Sequence, residues 1–374
     1  MHRHISFRCV LTLVALLFAF SRLAWSAEDV ATLAARIKEV GKEGKGNQVA
    51  SRASRELSRR GAEDLPDLLL ALNDADPVVA NWLRAAVDQI AERAVANRKD
   101  LPAKKLEAFV LDRRNSGPVR RLAFEWLARV DATATNRLIP GMLDDPSVEL
   151  RRDAVARTWA DAQKVLDGGD RPAGLAALQK VFWSARDRDQ VLDIAKRLEA
   201  LDEKPDLTRH FGCIQNWQLI GPFDNSDKAG FDDVFPPEKQ IELEAEHAGK
   251  ESNVRWFEHT TADQFGVVDL NKVIGKHMGV TAFGLSRLDA REERVIQIRV
   301  GSPNAVKVWL NGTLVLRVDE YHHGMNMDQY IATGKLKTGR NTILIKICQN
   351  EQKEDWAQNW MFQVRVCDLT GGGL

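Results

Sequence analysis

Val306-Lys307-Val308-Trp309-Leu310-Asn311-Gly312-Thr313-Leu314-Val315-Leu316 is the stretch that decides the fold of the carboxyl-terminal half. Two runs rich in β-branched and aromatic residues flank Asn-Gly, the dipeptide that tolerates the positive φ angles of a two-residue type I′ turn. Both flanks therefore read as strands of one hairpin. Upstream, Ile296, Ile298 and Val300 alternate with Gln297 and Arg299, the period of a strand with one buried face. Downstream, the turn Thr338-Gly339-Arg340-Asn341 leads into Ile343, Ile345 and Ile347, and Phe362, Val364 and Val366 supply a closing strand. Gln215 to Ile220 reads as a first strand, stopped by Gly221-Pro222. Short strands with turn punctuation and few helical patterns predict an antiparallel β-sandwich.

The amino-terminal half has a different period. Val78, Val79, Trp82, Leu83, Ala86, Val87 and Ile90 fall at helical spacing, as do Val119, Leu122, Ala123, Trp126, Leu127 and Val130, and then Leu150, Ala154, Val155, Thr158 and Trp159. Asp76-Pro77-Val78, Gly117-Pro118-Val119 and Asp145-Pro146-Ser147-Val148 each place Pro near a helix start, where its missing N–H is not needed, and two of the three put Asp in the capping position. The intervals between these starts are uneven, so the repeat is degenerate. Trp82, Trp126, Trp159 and Trp183 recur once per unit and are expected in the core, in phase with Val and Leu, rather than along a groove. The pairs Arg113-Arg114, Arg120-Arg121 and Arg151-Arg152 are expected on a solvated face among Asp and Glu. A single helix pair cannot bury its apolar face, so stacking must stabilise the segment.

The Asp-Pro-x-Val starts and amphipathic second helices over about residues 60 to 165 resemble HEAT repeats, and Asp170 to Leu201 is closer in style to a tetratricopeptide pair. In the second half, Val308-Trp309-Leu310-Asn311-Gly312, then Leu336-Lys337-x-Gly339-x-Asn341-Thr342-Ile343, then an aromatic-rich last strand, resemble the galactose-binding-like jelly rolls. The opening Trp217-x-x-Ile220-Gly221-Pro222-Phe223-Asp224-Asn225, with Gly230-Phe231-Asp232 and Phe235-Pro236-Pro237-Glu238, is similar to a variant found in multidomain exported bacterial proteins. The resemblance implies a fold and suggests sugar binding. It carries over no ligand residue.

The expected organisation is thus an all-α solenoid followed by an all-β sandwich: a secretory signal over 1–26, a HEAT-like domain over 27–204 and a jelly roll over 212–370, joined at Glu203-Lys204-Pro205-Asp206. His2, Arg3, His4 and Arg8 form a basic head, Val10 to Phe20 an apolar core too short for a bilayer span, and Ala24-Trp25-Ser26 a small-x-small cleavage site. A secreted, periplasmic or cell-envelope location follows, with no transmembrane segment after cleavage. The 53 basic and 53 acidic residues of the 374 balance. Loss of Arg3, Arg8 and Arg22 with the leader tips the mature chain slightly negative, which argues against nucleic acid as a partner. Cys213, Cys348 and Cys367 remain, and two readings stand: one disulfide among them with a leftover thiol, or three buried free thiols.

No Gly-x-Ser-x-Gly, His-Glu-x-x-His, phosphate loop or Cys-x-x-Cys is present. His322-His323 is adjacent, and neighbours on an extended segment point opposite ways, so joint chelation is disfavoured. The loop holding Asp224, Asp227, Asp232 and Asp233 is a weak Ca²⁺ candidate, since its spacing does not match an EF-hand. No other cofactor is expected. The residues best suited to face a ligand are Tyr321 and His322, and Trp356 with Asn359, in polar loops where a ring fits the apolar face of a sugar and Asn359 or Asp328 reaches its hydroxyls. Trp360 is expected to pack inward, as are Trp256 and Trp309. The expected function is an exported, non-catalytic binding or adaptor protein, its helical repeat for a protein partner and its sandwich for a glycan or protein. A hydrolase with carboxylates hidden in the fold, or a purely structural envelope protein, are the alternatives.

Overall fold

The computed structural model describes residues 28–41 and 44–374; the expected signal segment lies outside the described residues. Helices fill the first half and antiparallel strands the second, and the chain divides into two compact units, one ending at Leu138 and one spanning Ile139–Leu374.

In the first unit, α1 (Val30–Lys38) packs on α2 (Asn47–Leu57), α3 (Leu65–Leu72) on α4 (Pro77–Ala96), and α5 (Ala103–Leu111) on α6 (Gly117–Val130), before the short α7 (Ala134–Leu138). Asp76 caps α4 as its sequence demands, its carboxylate accepting from the N–H groups of Val78 and Val79 at 2.9 and 3.0 Å. Val79, Leu83, Ala86, Val87 and Ile90 of α4 are buried, while Val78, in the first turn, is exposed. The Arg pairs do not form a uniform solvated face. Arg120 is fully buried, and its Nε–H donates to the carbonyl of Val110 at 2.6 Å. That carbonyl lies in the last turn of α5, where no intrahelical donor exists.

The second unit also buries an arginine, here against a turn carbonyl. Arg151 of α8 (Val148–Asp167) is buried and its Nε–H donates to Asp145 O at 2.7 Å. Here the cap is Ser147, whose hydroxyl accepts from Leu150 N; Asp145 instead accepts from Ser147 N at 2.8 Å, so the turn rather than the helix end uses the aspartate. α9 (Arg171–Ser184), α10 (Arg188–Glu199) and α11 (Leu207–Phe211) follow. Of the four recurrent tryptophans only Trp126 is buried; Trp82 and Trp159 are half-buried, and Trp183 is exposed with Arg209 stacked 5.6 Å over its ring.

β1 (Asn216–Asp224) follows directly, and it runs through Gly221-Pro222 with a bulge between Ile220 and Phe223 rather than stopping there. With β4 (Phe257–Thr260), β6 (Val280–Ala290), β8 (Ala305–Leu310), β9 (Thr313–Val318) and β11 (Gly339–Gln349) it builds a six-stranded sheet in the order β4-β1-β6-β11-β8-β9. A second sheet, β10-β7-β12-β5, comprises β10 (Tyr330–Leu336), β7 (Arg294–Gly301), β12 (Met361–Cys367) and β5 (Val268–Asp269). The small hairpin of β2 (Glu246–Ala248) and β3 (Asn253–Arg255) is a two-stranded sheet of its own. The β8–β9 turn has Asn311 at φ 52° and Gly312 at φ 82°, as the Asn-Gly pair requires. Asn341 is fully buried because it satisfies the next turn: its Nδ2 donates to Lys337 O and Gly339 O, and its Oδ1 accepts from Lys337 N.

The central strands of both sheets are covered on both faces, while the edge strands β4, β9 and β10 are largely exposed. Between them lie Trp217, Leu219, Ala282, Val308, Ile343 and Ile345 from one side and Ile296, Ile298, Phe362 and Val364 from the other, with Trp360 fully buried. Ile220, Phe223, Phe283, Leu285 and Leu344 on the outer face of the larger sheet pack under Val254 and Trp256. On the outer face of the smaller sheet, Arg365 donates from Nε to Phe211 O at 2.8 Å and from Nη2 to Gly371 O at 2.9 Å. Asp328 accepts from Arg365 at 2.5 and 2.6 Å and from Arg299 at 2.7 Å. Phe211 and Leu207 belong in turn to the apolar cluster of α8, α9 and α10, with Val155, Val181 and Ile194. The composition change near residue 204 therefore marks the helix-to-strand switch, whereas the compact unit that holds the sheets begins at Ile139, because these helices pack with them. Cys213, Cys348 and Cys367 are all free thiols, so the disulfide alternative is not realised; burial pushes the thiols of Cys348 and Cys367 up to about 11.

Two outcomes follow for stability. Asp328→Ala strands two guanidinium groups, one of them almost fully buried, and should lower unfolding free energy by about 3 kcal/mol in urea titrations. His210 is buried among Phe182, Trp183 and Phe211, and desolvation, then the nearby Arg186 and Arg365, lower its pKa to about 4. The unfolded chain takes up that proton near pH 6.5, so stability should fall as pH drops from about 6.5 toward 4. His210→Phe should flatten that part of the urea-midpoint profile.

Candidate functional site

At one end of the six-stranded sheet β1 finishes at Asp224, β6 starts at Val280, β11 finishes at Gln349, β8 starts at Ala305 and β9 finishes at Val318. The loops beyond these ends bring together residues far apart in sequence. Tyr321 and His322 have ring centroids 6.0 Å apart, and Trp356 stands edge-on to His322 at 5.6 Å with an interplanar angle of 88°. Three of the aromatic residues singled out in the sequence thus share one patch. Trp356 is its exposed member, 60% accessible.

The patch is held from below. Asn225, fully buried, donates from its backbone N–H to Gly279 O at 2.8 Å and from Nδ2 to Gln349 O at 2.8 Å and to the Tyr321 hydroxyl at 3.4 Å. Burial pushes the Tyr321 phenol up, so it is neutral and a donor or acceptor at every physiological pH. The Lys228 ammonium sits 5.1 Å over the Tyr321 ring, within cation–π range. His322 donates its backbone N–H to Pro303 O at 3.0 Å. Its imidazole is partly buried, with Asn350 and the Ala357 backbone against it, and desolvation holds its pKa below the usual histidine value. Three non-glycine residues here take the left-handed conformation, Asp227 (φ 54°), Lys228 (φ 62°) and His322 (φ 63°). Each such residue costs of order 1 kcal/mol, a strain that concentrates at functional sites. Three buried polar atoms at this end, Asn225 Oδ1, His322 Nε2 and Gln349 Oε1, have no hydrogen-bond partner within the protein.

The remaining candidates fall elsewhere. Asp328 is not ligand-facing: it is the shared counter-ion of Arg299 and Arg365, as described above. Asn359 is exposed, but its backbone carbonyl makes the contact, accepting from Asn304 Nδ2 at 2.9 Å. His323 turns away from His322 into a network with Gln329 Nε2 at 2.7 Å and the Tyr330 hydroxyl at 3.0 Å. The four aspartates do not converge. Asp224 accepts from Ser226 Oγ at 2.7 Å and lies 3.1 Å from Lys250 Nζ; Asp232 pairs with Arg317 at 2.9 Å and Lys307 at 3.4 Å. Asp227 presents its backbone N–H to Glu351, and the Asp233 carbonyl accepts from Lys346. Among the described residues no group of three His, Cys, Asp or Glu is placed to hold a metal ion. Lys228, Asn225 and Asn350 were not singled out in the sequence as ligand-facing. Asn225 closes the Gly221-Pro222-Phe223-Asp224-Asn225 run, which is the one signal that pointed toward it.

Trp356→Ala should leave the melting temperature within about 1 °C, as expected of an exposed side chain. Tyr321→Ala should lower it by several degrees, since it removes a half-buried ring and the hydroxyl that Asn225 donates to. Equal shifts in thermal scans would contradict this division into an exposed platform and a buried support.

No family model and no curated protein matches the chain. Among solved structures, a β-glucosidase from Kluyveromyces marxianus in complex with glucose is 11% identical with a TM-score of 0.20, over 24% of this chain and 11% of that one. A β-glucuronidase from an uncultured Clostridium species is 10% identical with a TM-score of 0.24, over 42% and 28%. An anti-sigma factor domain-containing protein is 10% identical with a TM-score of 0.25, over 42% and 48%. The chain thus spans less than half the length of each of these proteins.

Proposed function

We propose that the chain is an exported binding protein without catalytic function, in which a HEAT-like helical stack serves a protein partner and a galactose-binding-like jelly roll recognises a glycan at the Tyr321–His322–Trp356 rim. The observation that carries this reading is the convergence of Trp356, His322 and Tyr321 on one strained rim, with the indole left exposed. An exposed indole offers a flat apolar surface to the C–H face of a pyranose ring. His322 stands beside the indole, Tyr321 beside His322, and the Lys228 ammonium lies over the Tyr321 ring.

Calorimetric titration of the mature protein against a panel of neutral and acidic oligosaccharides tests this. At least one sugar should bind, and Trp356→Ala should weaken it about ten-fold or more, the loss expected of a stacking residue at the centre of a small site. A panel with no binder, affinity unaltered by Trp356→Ala, or turnover of a bound sugar at enzyme-like rates would overturn the reading.

A further inference from the structure

At the opposite end of the larger sheet, β1 and β6 part company early. Gln218 opposite Leu285 is the last pair between them, whereas β11 follows β6 as far as Gly339 opposite Ala290. Ser286 to Ala290 therefore has a partner strand on one side only. Alternate backbone N–H and C=O groups of a strand point to each side, so those on the β1 side are left without a ladder. Among the described residues no turn or loop hydrogen bond takes them up. This free edge borders a cleft of about 640 Å³, closed on the other side by Thr208 to Asn216. Its floor is apolar, formed by Ile214, Leu288, Leu336 and Val366 at the mouth between the two sheets.

The charge around the cleft is uneven. Arg209, Arg287, Arg291 and Arg294 all line it. The last three have no acidic partner among the described residues, and Arg209 is stacked on Trp183. Against these four arginines the side-chain acids of the lining are Asp206, which caps α11 by accepting from Arg209 N at 2.9 Å, Asp289, which lies 3.8 Å from Arg340, and Glu292. The side-chain balance is cationic by one charge.

We propose that this open edge of β6 accepts an added strand: an extended, acidic peptide segment of a protein partner that pairs with Ser286–Ala290 in the position β1 has vacated. Five residues is a usual strand length, and main-chain pairing at an open edge gives affinity while side-chain pockets give specificity. In such a segment alternate side chains point to opposite faces. One set meets Leu288 and Leu336 on the floor; the other meets the face carrying Arg287, where carboxylates find guanidinium donors. The backbone edge separates this occupant from an acidic glycan, which would answer the arginines and leave the unpaired amides unused. The site is independent of the aromatic rim.

The test uses the mature full-length chain and a fluorescent, end-capped octapeptide alternating glutamate with valine. Saturable binding by anisotropy is expected, with slowed amide exchange confined to Ser286–Ala290. Replacing glutamate by lysine, or combining Arg287→Glu with Arg294→Glu in the protein, should weaken binding about ten-fold or more, with the melting temperature of the variant unchanged. N-methylation of alternate peptide amides should abolish it. Absence of saturable binding, equal affinity of the N-methylated peptide, or tighter binding of a galacturonate oligomer than of the peptide would each overturn the proposal.

Discussion

The carboxyl-terminal unit depends on a charge placed where charge is costly. Arg365 points from the outer face of the smaller sheet toward the helices and is 97% inaccessible there by side chain, with 3% exposed. Taking a guanidinium out of water costs several kcal/mol, and it persists only because every direction of its planar fork is answered. Asp328 takes one edge, the carbonyls of Phe211 and Gly371 take the others, and the Phe211 ring lies 5.1 Å from the guanidinium carbon. Phe211 ends α11, and Gly212 to Ile214 then pairs with β12 through Ile214 N to Val364 O and Val366 N to Gly212 O. One side chain therefore fixes the helix end, the sheet face and the final turn together. That is why a helical segment and a β-sandwich form one compact unit.

Covering of the central strands on both faces explains part of what the sequence left unread. The hairpin around Asn311-Gly312 and the strands β7, β11 and β12 were legible because turn residues mark their ends and polar residues alternate with aliphatics even where both faces are buried, as with Lys346 between Ile345 and Ile347 and Gln363 and Arg365 around Val364. β6 was not, although it lies near the centre of the larger sheet. Val280 to Ser286 is buried on both faces, so alternation disappears, and the run Ala282-Phe283-Gly284 carries little β-branched character to replace it. β10 is hidden for a second reason: Gly334 and Lys335 interrupt it, and the Leu310 side chain occupies the space a Cβ at Gly334 would need. In the helical half, period and proline starts marked every long helix from α4 to α8. Two of the arginine pairs misled, because adjacent residues on a helix cannot share one environment: Arg120 and Arg151 turn inward and donate to backbone carbonyls, whereas Arg113 and Arg114 are both exposed, as expected.

The candidate site was half legible for a related reason. Polar loops rich in Tyr, His and Trp stood out by composition, and Tyr321, His322 and Trp356 do meet. Asp328 stood out in the same way and does not join them, because its loop continues into β10 beneath the helices, where two arginines compete for any carboxylate. Composition identifies groups able to bind a ligand; only topology says which sheet end they reach. Asn225 shows the converse. Nothing about an asparagine after Phe223-Asp224 announces a ligand site, yet its side chain joins the β1, β9 and β11 loops at one point.

The two ends of the larger sheet then differ in a way that follows from strand length alone. At the end where β1, β6 and β11 terminate together, their loops must crowd into one place, and Asp227, Lys228 and His322 adopt left-handed backbone to fit. At the other end β6 and β11 outrun β1, so backbone groups are left beside a cleft instead of beneath a loop. A crowded end presents side chains, and rigid aromatic ones lose least entropy when they engage a ligand. A ragged end presents main chain, whose pairing capacity is independent of sequence. An eleven-residue β6 against a nine-residue, bulged β1 is thus enough to give one sheet two chemically distinct surfaces, one read through rings and hydroxyls and the other through amides and guanidinium groups.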